Sequence, residues 1–250
     1  MPDRRPTPSP TARDAVYADA RAHIEAFRFD ADVAEVFADM IARSVPGYAL
    51  TLQMIAVVAR RFALPGTQCY DLGCSLGAST LAIRRHAPPD CRVIGVDNSP
   101  AMVERARAIV AADGAGASME IRCEDVRETA LHDASLVTLN FTLQFVPPPA
   151  RGALLARIAA ALRPGGCLVL SEKLAFEDPA EQELLGALHL DFKQLQGYSA
   201  LEIAQKRAAL ENVLIPETLA THRERLFGAG FRRVTVWLQC LNFLSLLAEK

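Results

Sequence analysis

The chain has no surplus of basic residues: 27 lysines and arginines stand against 29 aspartates and glutamates, for a formal net charge of −2 over 250 residues, and the sequence pI is about 6.2. A protein that coats nucleic acid neutralises phosphates with a basic stripe, so direct nucleic-acid binding is not expected. A Cys-x-x-C pair is also missing. The cysteines, at 69, 74, 91, 123, 167 and 240, are scattered and sit mostly in apolar runs, so they suggest neither a zinc site nor a disulfide framework and read as reduced thiols. No metal is expected. No run of roughly 18 uninterrupted apolar residues offers a transmembrane helix. The opening stretch MPDRRPTPSPTARD has Pro2, Pro6, Pro8 and Pro10 but no apolar core of a signal peptide. Residues 1–22 therefore read as a disordered proline-rich extension, and a cytoplasmic protein without membrane contact is expected.

What is present is a hydrophobic content of 51%, enough for the core of one α/β domain over residues 23–250. From about residue 67, short apolar runs (TQCYDL, CRVIGVD, SMEIRC, SLVTLNF, CLVLSE) alternate with amphipathic stretches (STLAIRRH, PAMVERARAIVAA, ARGALLARIAAAL). That alternation predicts a mostly parallel sheet with crossover helices. VTVWLQ and CLNFLSLLA complete it as two further strands, the last antiparallel. Residues 15–62 read as largely helical, with a turn at Pro46-Gly47-Tyr48. Residues 174–213 are too long for an ordinary connection and form a helical insertion, in which Ser199-Ala200-Leu201-Glu202 is a capping box opening a helix over about 200–212.

The stretch YDLGCSLGAS, Tyr70 to Ser79, puts Gly73 and Gly77 between a strand and a helix. Such a turn lets a ligand approach backbone that a Cβ would obstruct, although packing alone also explains it. Asp97 ends the next strand, 24 positions after Gly73, where Rossmann-like sheets place an acid against both hydroxyls of a ribose. Helix capping is the alternative for Asp97, but Ser99 is the better cap. Asp125, with Val126, follows the third strand and is placed to meet an adenine; on its own it reads as a solvated acid. Asn140 ends the fourth strand, so four strand ends converge on one crevice.

Together, D-L-G-C-S-L-G, V-D-N-S, E-D-V and L-R-P-G-G resemble the ordered motifs of class I S-adenosylmethionine-dependent methyltransferases over residues 67–250, with the Rossmann-like fold of that class. A dehydrogenase fits less well, because Cys74-Ser75 stands where G-x-G-x-x-G needs its second glycine. The strings FADMIARSVPGY, YDLGCSLGAST, DNSPAM, LNFTLQF, LSEK, GYSALEIAQKR and LENVL are more specific. They resemble the carboxy-S-adenosyl-L-methionine synthase family over nearly the whole chain after residue 27.

That resemblance implies conversion of S-adenosylmethionine to carboxy-S-adenosylmethionine, with prephenate as carboxyl donor and phenylpyruvate as co-product. The product would serve the making of 5-oxyacetyl uridine at tRNA wobble positions. It also implies a homodimer. By position it assigns ligand contacts to Tyr48, Gly73, Cys74, Ser75, Asp97, Asn98, Asp125, Val126, Asn140 and Arg207. Without it, Tyr48 reads as a turn tyrosine and Arg207 as a solvated helix charge, while His189 reads as a core histidine bonded to a carbonyl.

The chemistry makes sense of Arg207. A sulfonium is cationic, so a guanidinium belongs beside it only if an anion joins them, and the new carboxylate supplies one for a bidentate fork. Arg207 and Tyr48 are thus the expected carboxylate-positioning groups. No side-chain base stands out for the methyl proton; the resemblance implies that hydroxide leaving prephenate takes it while the protein positions and encloses. An ordinary methyltransferase and a catalytically silent cofactor binder are the rivals, and neither has a use for GYSALEIAQKR.

Overall fold

The computed structural model describes residues 12–114 and 118–250. Its strands are β1 (Gln68–Leu72), β2 (Arg92–Asp97), β3 (Met119–Cys123), β4 (Ala134–Asn140), β5 (Leu162–Lys173), β6 (Arg233–Cys240) and β7 (Phe243–Glu249). They form one seven-stranded sheet in the order β3-β2-β1-β4-β5-β7-β6. All neighbours are parallel except β7, which runs antiparallel to both β5 and β6. This is the mostly parallel sheet expected from the strand pattern, in the Rossmann-like class I methyltransferase arrangement that the motif resemblance implies. The order reverses between β1 and β4, and open α/β sheets leave a crevice at that switch point, beyond the carboxyl ends of the strands.

Alternation along the strands fills two cores. Tyr70, Leu72, Val137 and Leu139 face α5 (Pro148–Ala161) and α8 (Leu219–Gly228), meeting Leu155, Ile158 and Leu226. Cys69, Val93, Leu136 and Val169 face the other way, onto Ile55 and Ala59 of α2 (Tyr48–Phe62) and Ile83 of α3 (Ala78–Arg84). Each large apolar side chain buried this way contributes roughly 1.5–3 kcal/mol, and both faces are covered, as a parallel sheet requires. The helix α4 (Pro100–Asp113) starts with Ser99 as N-cap and proline at its first position, as the sequence suggests. Pro164-Gly165-Gly166, which as a sequence reads as the stop of the preceding helix, does not act as one: α5 already ends at Ala161, and these residues lie inside β5, where the register against β4 shifts.

Two other expectations are corrected. Helix α1 (Ala31–Ser44) begins only at Ala31, capped by Asp30, so residues 15–30 are not helical. Of the extension expected to be disordered, residues 1–11 lie outside the described residues, but residues 12–22 are placed, with Asp14 and Tyr17 buried. The reason is the insertion. It contains α6 (Pro179–Leu195) and α7 (Ala200–Leu210), the latter opened by the expected capping box, and the N-terminal segment runs as a strap across α7. Phe27 N–H donates to Ala209 O at 2.9 Å. Gln205 accepts from Arg21 N–H and donates to the carbonyls of Tyr17 and Asp19. A strap whose backbone groups are satisfied by another element has no need of its own helix. Among the described residues no single helix is long and apolar enough to cross a membrane.

Candidate functional site

A cavity of about 670 Å³ opens at the carboxyl edge of the sheet, roofed by α1, α6, α7 and the strap. Its floor is the turn after β1. Gly73 has φ +81°, and a Cβ there would lie 2.3 Å from the Thr142 side chain, so only glycine fits. The N–H groups of Gly73 and Cys74 both bond to Val96 O, which locks the turn to β2. Beneath it Asp71, fully buried, accepts from the hydroxyls of Thr80 (2.6 Å) and Thr138 (2.7 Å), tying β1 to α3 and β4. Ser75 and Phe141 line the cavity with positive φ, 48° and 62°, although neither is glycine. Backbone held this way costs of order 1–3 kcal/mol and concentrates at ligand-binding loops.

The carboxylates sit toward one end. Asp97, at the end of β2, accepts from the N–H groups of Ser75 and Ser99, one on each oxygen, both at 2.9 Å. Burial pushes its carboxyl above the ordinary value, against the pull of the Ser99, Ser75 and Asn98 backbone donors. Each oxygen keeps a lone pair, enough for the two hydroxyls of a ribose. Asp125 lines the cavity beside Val126, with its carboxylate bonded by the Arg127 side chain and backbone, which hold it below the usual range. Asn140 donates to Ser79 Oγ at 3.0 Å, while its Oδ1 is buried without a partner. A buried acceptor left open on a cavity wall is a place for a ligand donor, and with the bare glycine floor it fits an adenosyl amino acid.

The opposite end is cationic. Lys173 closes β5, Lys193 lies in the last turn of α6 and Lys206 lies in α7; all three line the cavity. Lys206 reaches Asp14 Oδ2 at 3.4 Å and Ser44 Oγ at 3.2 Å. His189 bonds through Nε2 to Ser44 O at 2.9 Å and packs edge-on against Phe243. Burial first, then Lys193, brings its imidazole down to about 3, so it is neutral. Burial pushes the Tyr48 hydroxyl well above its ordinary value, so it faces the cavity as a neutral donor.

Three comparisons bear on this site. A family model described as "Methyltransferase domain" matches residues 69–166. A putative S-adenosylmethionine-dependent methyltransferase from Methanococcus maripaludis superposes with a TM-score of 0.59 at 18% identity, covering 92% of this chain and 97% of that one; a putative O-methyltransferase from Nostoc punctiforme gives 0.63 at 18%, covering 88% and 59%. At that identity the likeness concerns the fold. The carboxy-S-adenosyl-L-methionine synthase of Marinobacter nauticus is 58% identical over 245 residues, 98% of each chain. The chain belongs to the carboxy-S-adenosyl-L-methionine synthase family.

Of the contacts assigned by resemblance to that family, Tyr48, Gly73, Cys74, Ser75, Asp97, Asn98, Asp125, Val126 and Asn140 all line the cavity. Arg207 does not. Its side chain is exposed on α7, outside the lining, although its charge is felt by Lys173 and Lys193. His189 bonds a carbonyl as the sequence suggests, but on the cavity wall. Sequence reasoning gave no role to Lys173, although it ends the LSEK string, and missed Lys193, which has no local motif. The signal available was two lysines closing apolar stretches, LVLSEK and LHLDFK, in a chain not otherwise basic.

Proposed function

We propose that the protein is a transferase that converts S-adenosylmethionine and prephenate to carboxy-S-adenosylmethionine and phenylpyruvate. One observation carries the reading beyond the family name: a single cavity with carboxylates and an open Asn140 acceptor toward one end and lysines at the other. A methyl donor alone is served by the first end. A second, anionic reactant explains the other, since buried cations are costly without an anion.

The atoms balance without a protein base. Prephenate loses its ring carboxyl as carbon dioxide and its ring hydroxyl as hydroxide; the hydroxide takes a proton from the sulfonium methyl, giving water, and that carbon bonds the carbon dioxide. What remains of prephenate is phenylpyruvate. The chain's part is to place the methyl against the ring carboxyl and to exclude water, for which Phe27, Phe29, Phe37 and Phe145 around the cavity are suited. Asp97 and Asn98 hold the ribose, Asp125 and Val126 the adenine, and Gly73-Cys74-Ser75 with Asn140 the amino-acid part. Arg207 is retained as partner of the new carboxylate. From its exposed position it reaches that group by swinging toward Lys173 and Lys193, or from a second copy in a homodimer. The product feeds 5-oxyacetyl uridine formation in tRNA, in the cytoplasm, without this chain itself binding RNA.

The test is phenylpyruvate formation with each substrate alone and with both. Release that requires both, above the uncatalysed breakdown of prephenate, supports the reading. Methyl transfer to an RNA or small acceptor, indifferent to prephenate, replaces it with an ordinary methyltransferase.

A further inference from the structure

The nucleoside and amino-acid contacts leave the lysine end of the cavity to the anionic reactant, with no group of that reactant yet assigned to any lysine. Strand order separates it from the ribose acid: β2, β1, β4 and β5 are successive neighbours, so the end of β5 stands three strand spacings, about 14 Å, from Asp97. Lys206 is answered by Asp14. Lys193, 9% exposed, has no carboxylate within 4 Å among the described residues, and neither has Lys173. Around them the nearest charges are more of the same sign. Burial, then Lys206, Lys173 and Arg207, draw Lys193 down to about 7, and burial with Arg207 lowers Lys173. His189, neutral and engaged with Ser44, supplies no counter-charge.

Packing does not call for this arrangement. An apolar side chain at 193 would fill the same space on α6 without the desolvation cost of an ammonium group. Conflicts of this kind, in which a local rule is broken without local compensation, gather at functional sites. The missing compensation is an anion, and the cavity gives it a way in beside both lysines.

We propose that Lys173 and Lys193 form a second subsite in the cavity, which holds one carboxylate of a small organic dianion laid against the sulfonium end of the adenosyl ligand, with Lys206 fixed behind them by Asp14. This rests on the reading of the protein as a prephenate-using synthase and adds which carboxylate is held. The ring carboxyl leaves as neutral carbon dioxide, and a fixed ammonium pair gripping it would oppose its departure. The side-chain carboxylate next to the oxo group is unchanged from prephenate to phenylpyruvate, so it can be gripped throughout. Lys173 and Lys193 are therefore substrate-holding groups for the retained carboxylate. Their loss should raise the KM for prephenate far more than it lowers kcat.

The experiment is calorimetric titration of prephenate, and separately phenylpyruvate, into protein saturated with S-adenosylhomocysteine, which has no methyl to react. Lys193→Met should weaken both at least tenfold while S-adenosylhomocysteine itself binds within twofold of wild type. Lys193→Arg, which keeps the charge, should recover much of the loss, and Lys173→Gln should repeat the pattern. Ligand-free Lys193→Met should melt above wild type, because an unanswered buried cation has gone. If wild type turns prephenate over and Lys193→Met binds it equally well, or if ligand-free Lys193→Met melts below wild type, the lysine subsite is wrong and the functional reading stands. Wild type that neither binds nor consumes prephenate overturns the functional reading, and the subsite with it.

Discussion

The two ends of the cavity are built differently. The nucleoside end stands on the rigid sheet: Gly73, Asp97 and Asn140 sit at the ends of β1, β2 and β4, and their geometry is fixed by backbone bonds such as Gly73 N–H to Val96 O and Ser75 N–H to Asp97. The lysine end is mixed: Lys173 closes β5, but Lys193 and Lys206 stand on the insertion, where α7 is held by the strap through Asp14, Gln205 and Phe27 and α6 bonds Ser44 O of α1 through His189. The first end suits an activity-independent task, holding adenosyl ligands. The second decides what is done with them. Substitutions should therefore separate: those at strand ends change binding of every adenosyl ligand, and those in the insertion change only what depends on the anion.

The largest effect should come from the residue that both ends share. Arg151 is fully buried; it donates to the carbonyls of Val146, Gln144 and Ile215 and pairs with Glu217 at 2.5 Å. It joins the loop after β4 to the segment after α7. Arg151→Met should cost about 3–5 kcal/mol, as for breaking a buried pair, and lower denaturant midpoints with both kinds of binding impaired. A loss confined to one end would show that the ends do not share this anchor.

Asp97→Ala comes next, with adenosyl binding weakened by about 2–4 kcal/mol, since charge-assisted bonds are lost and the Ser75 and Ser99 donors are orphaned. Calorimetry with S-adenosylhomocysteine measures it; unchanged affinity would return Asp97 to a purely local role. The strap offers a smaller, one-sided effect. Gln205→Ala removes three bonds to residues 17–21 and should cost about 1–3 kcal/mol, with faster hydrogen exchange in the strap and weaker prephenate binding, but near-normal S-adenosylhomocysteine binding.

The last difference is read across pH rather than at one pH. Lys193 falls from an ordinary 10.5 to about 7 in the native chain. Between those values the unfolded chain keeps a proton that the native chain has released, so this group adds stability as pH rises and imposes its full penalty below about 7. Lys173 from β5 and Lys206 and Arg207 from α7 act on it, the neutral His189 from α6 feels its charge, and Asp14 from the strap answers Lys206. Melting curves of wild type and Lys193→Met should differ most near pH 6 and converge by about pH 10. Curves that stay parallel would show that Lys193 carries no buried charge.

Legibility in the sequence follows the same division. Strand ends carry local signatures, a bare glycine turn and an acid at a fixed interval, so Gly73, Asp97 and Asn140 can be placed from the residues alone. The capping box of α7 is legible for the same reason. The lysine end is not, because α6, α7 and β5 meet only in three dimensions and a lysine closing an apolar run has no characteristic neighbours. The strap reads as helix and disorder along the chain because its partners are in α7, as with Gln205 and Tyr17, 188 positions apart. Arg207, assigned to the ligand by resemblance, is exposed, as its bare reading as a solvated helix charge has it.

The central claim is that the cavity brings a carboxyl group from the anionic substrate to the sulfonium methyl. The direct measurement uses prephenate labelled with carbon-13 in its ring carboxyl, incubated with the protein and S-adenosylmethionine, followed by mass spectrometry of the adenosyl species. The account predicts an adenosyl product heavier by the labelled carbon dioxide, formed in step with unlabelled phenylpyruvate. An adenosyl species without the label, or S-adenosylhomocysteine in its place, would contradict it.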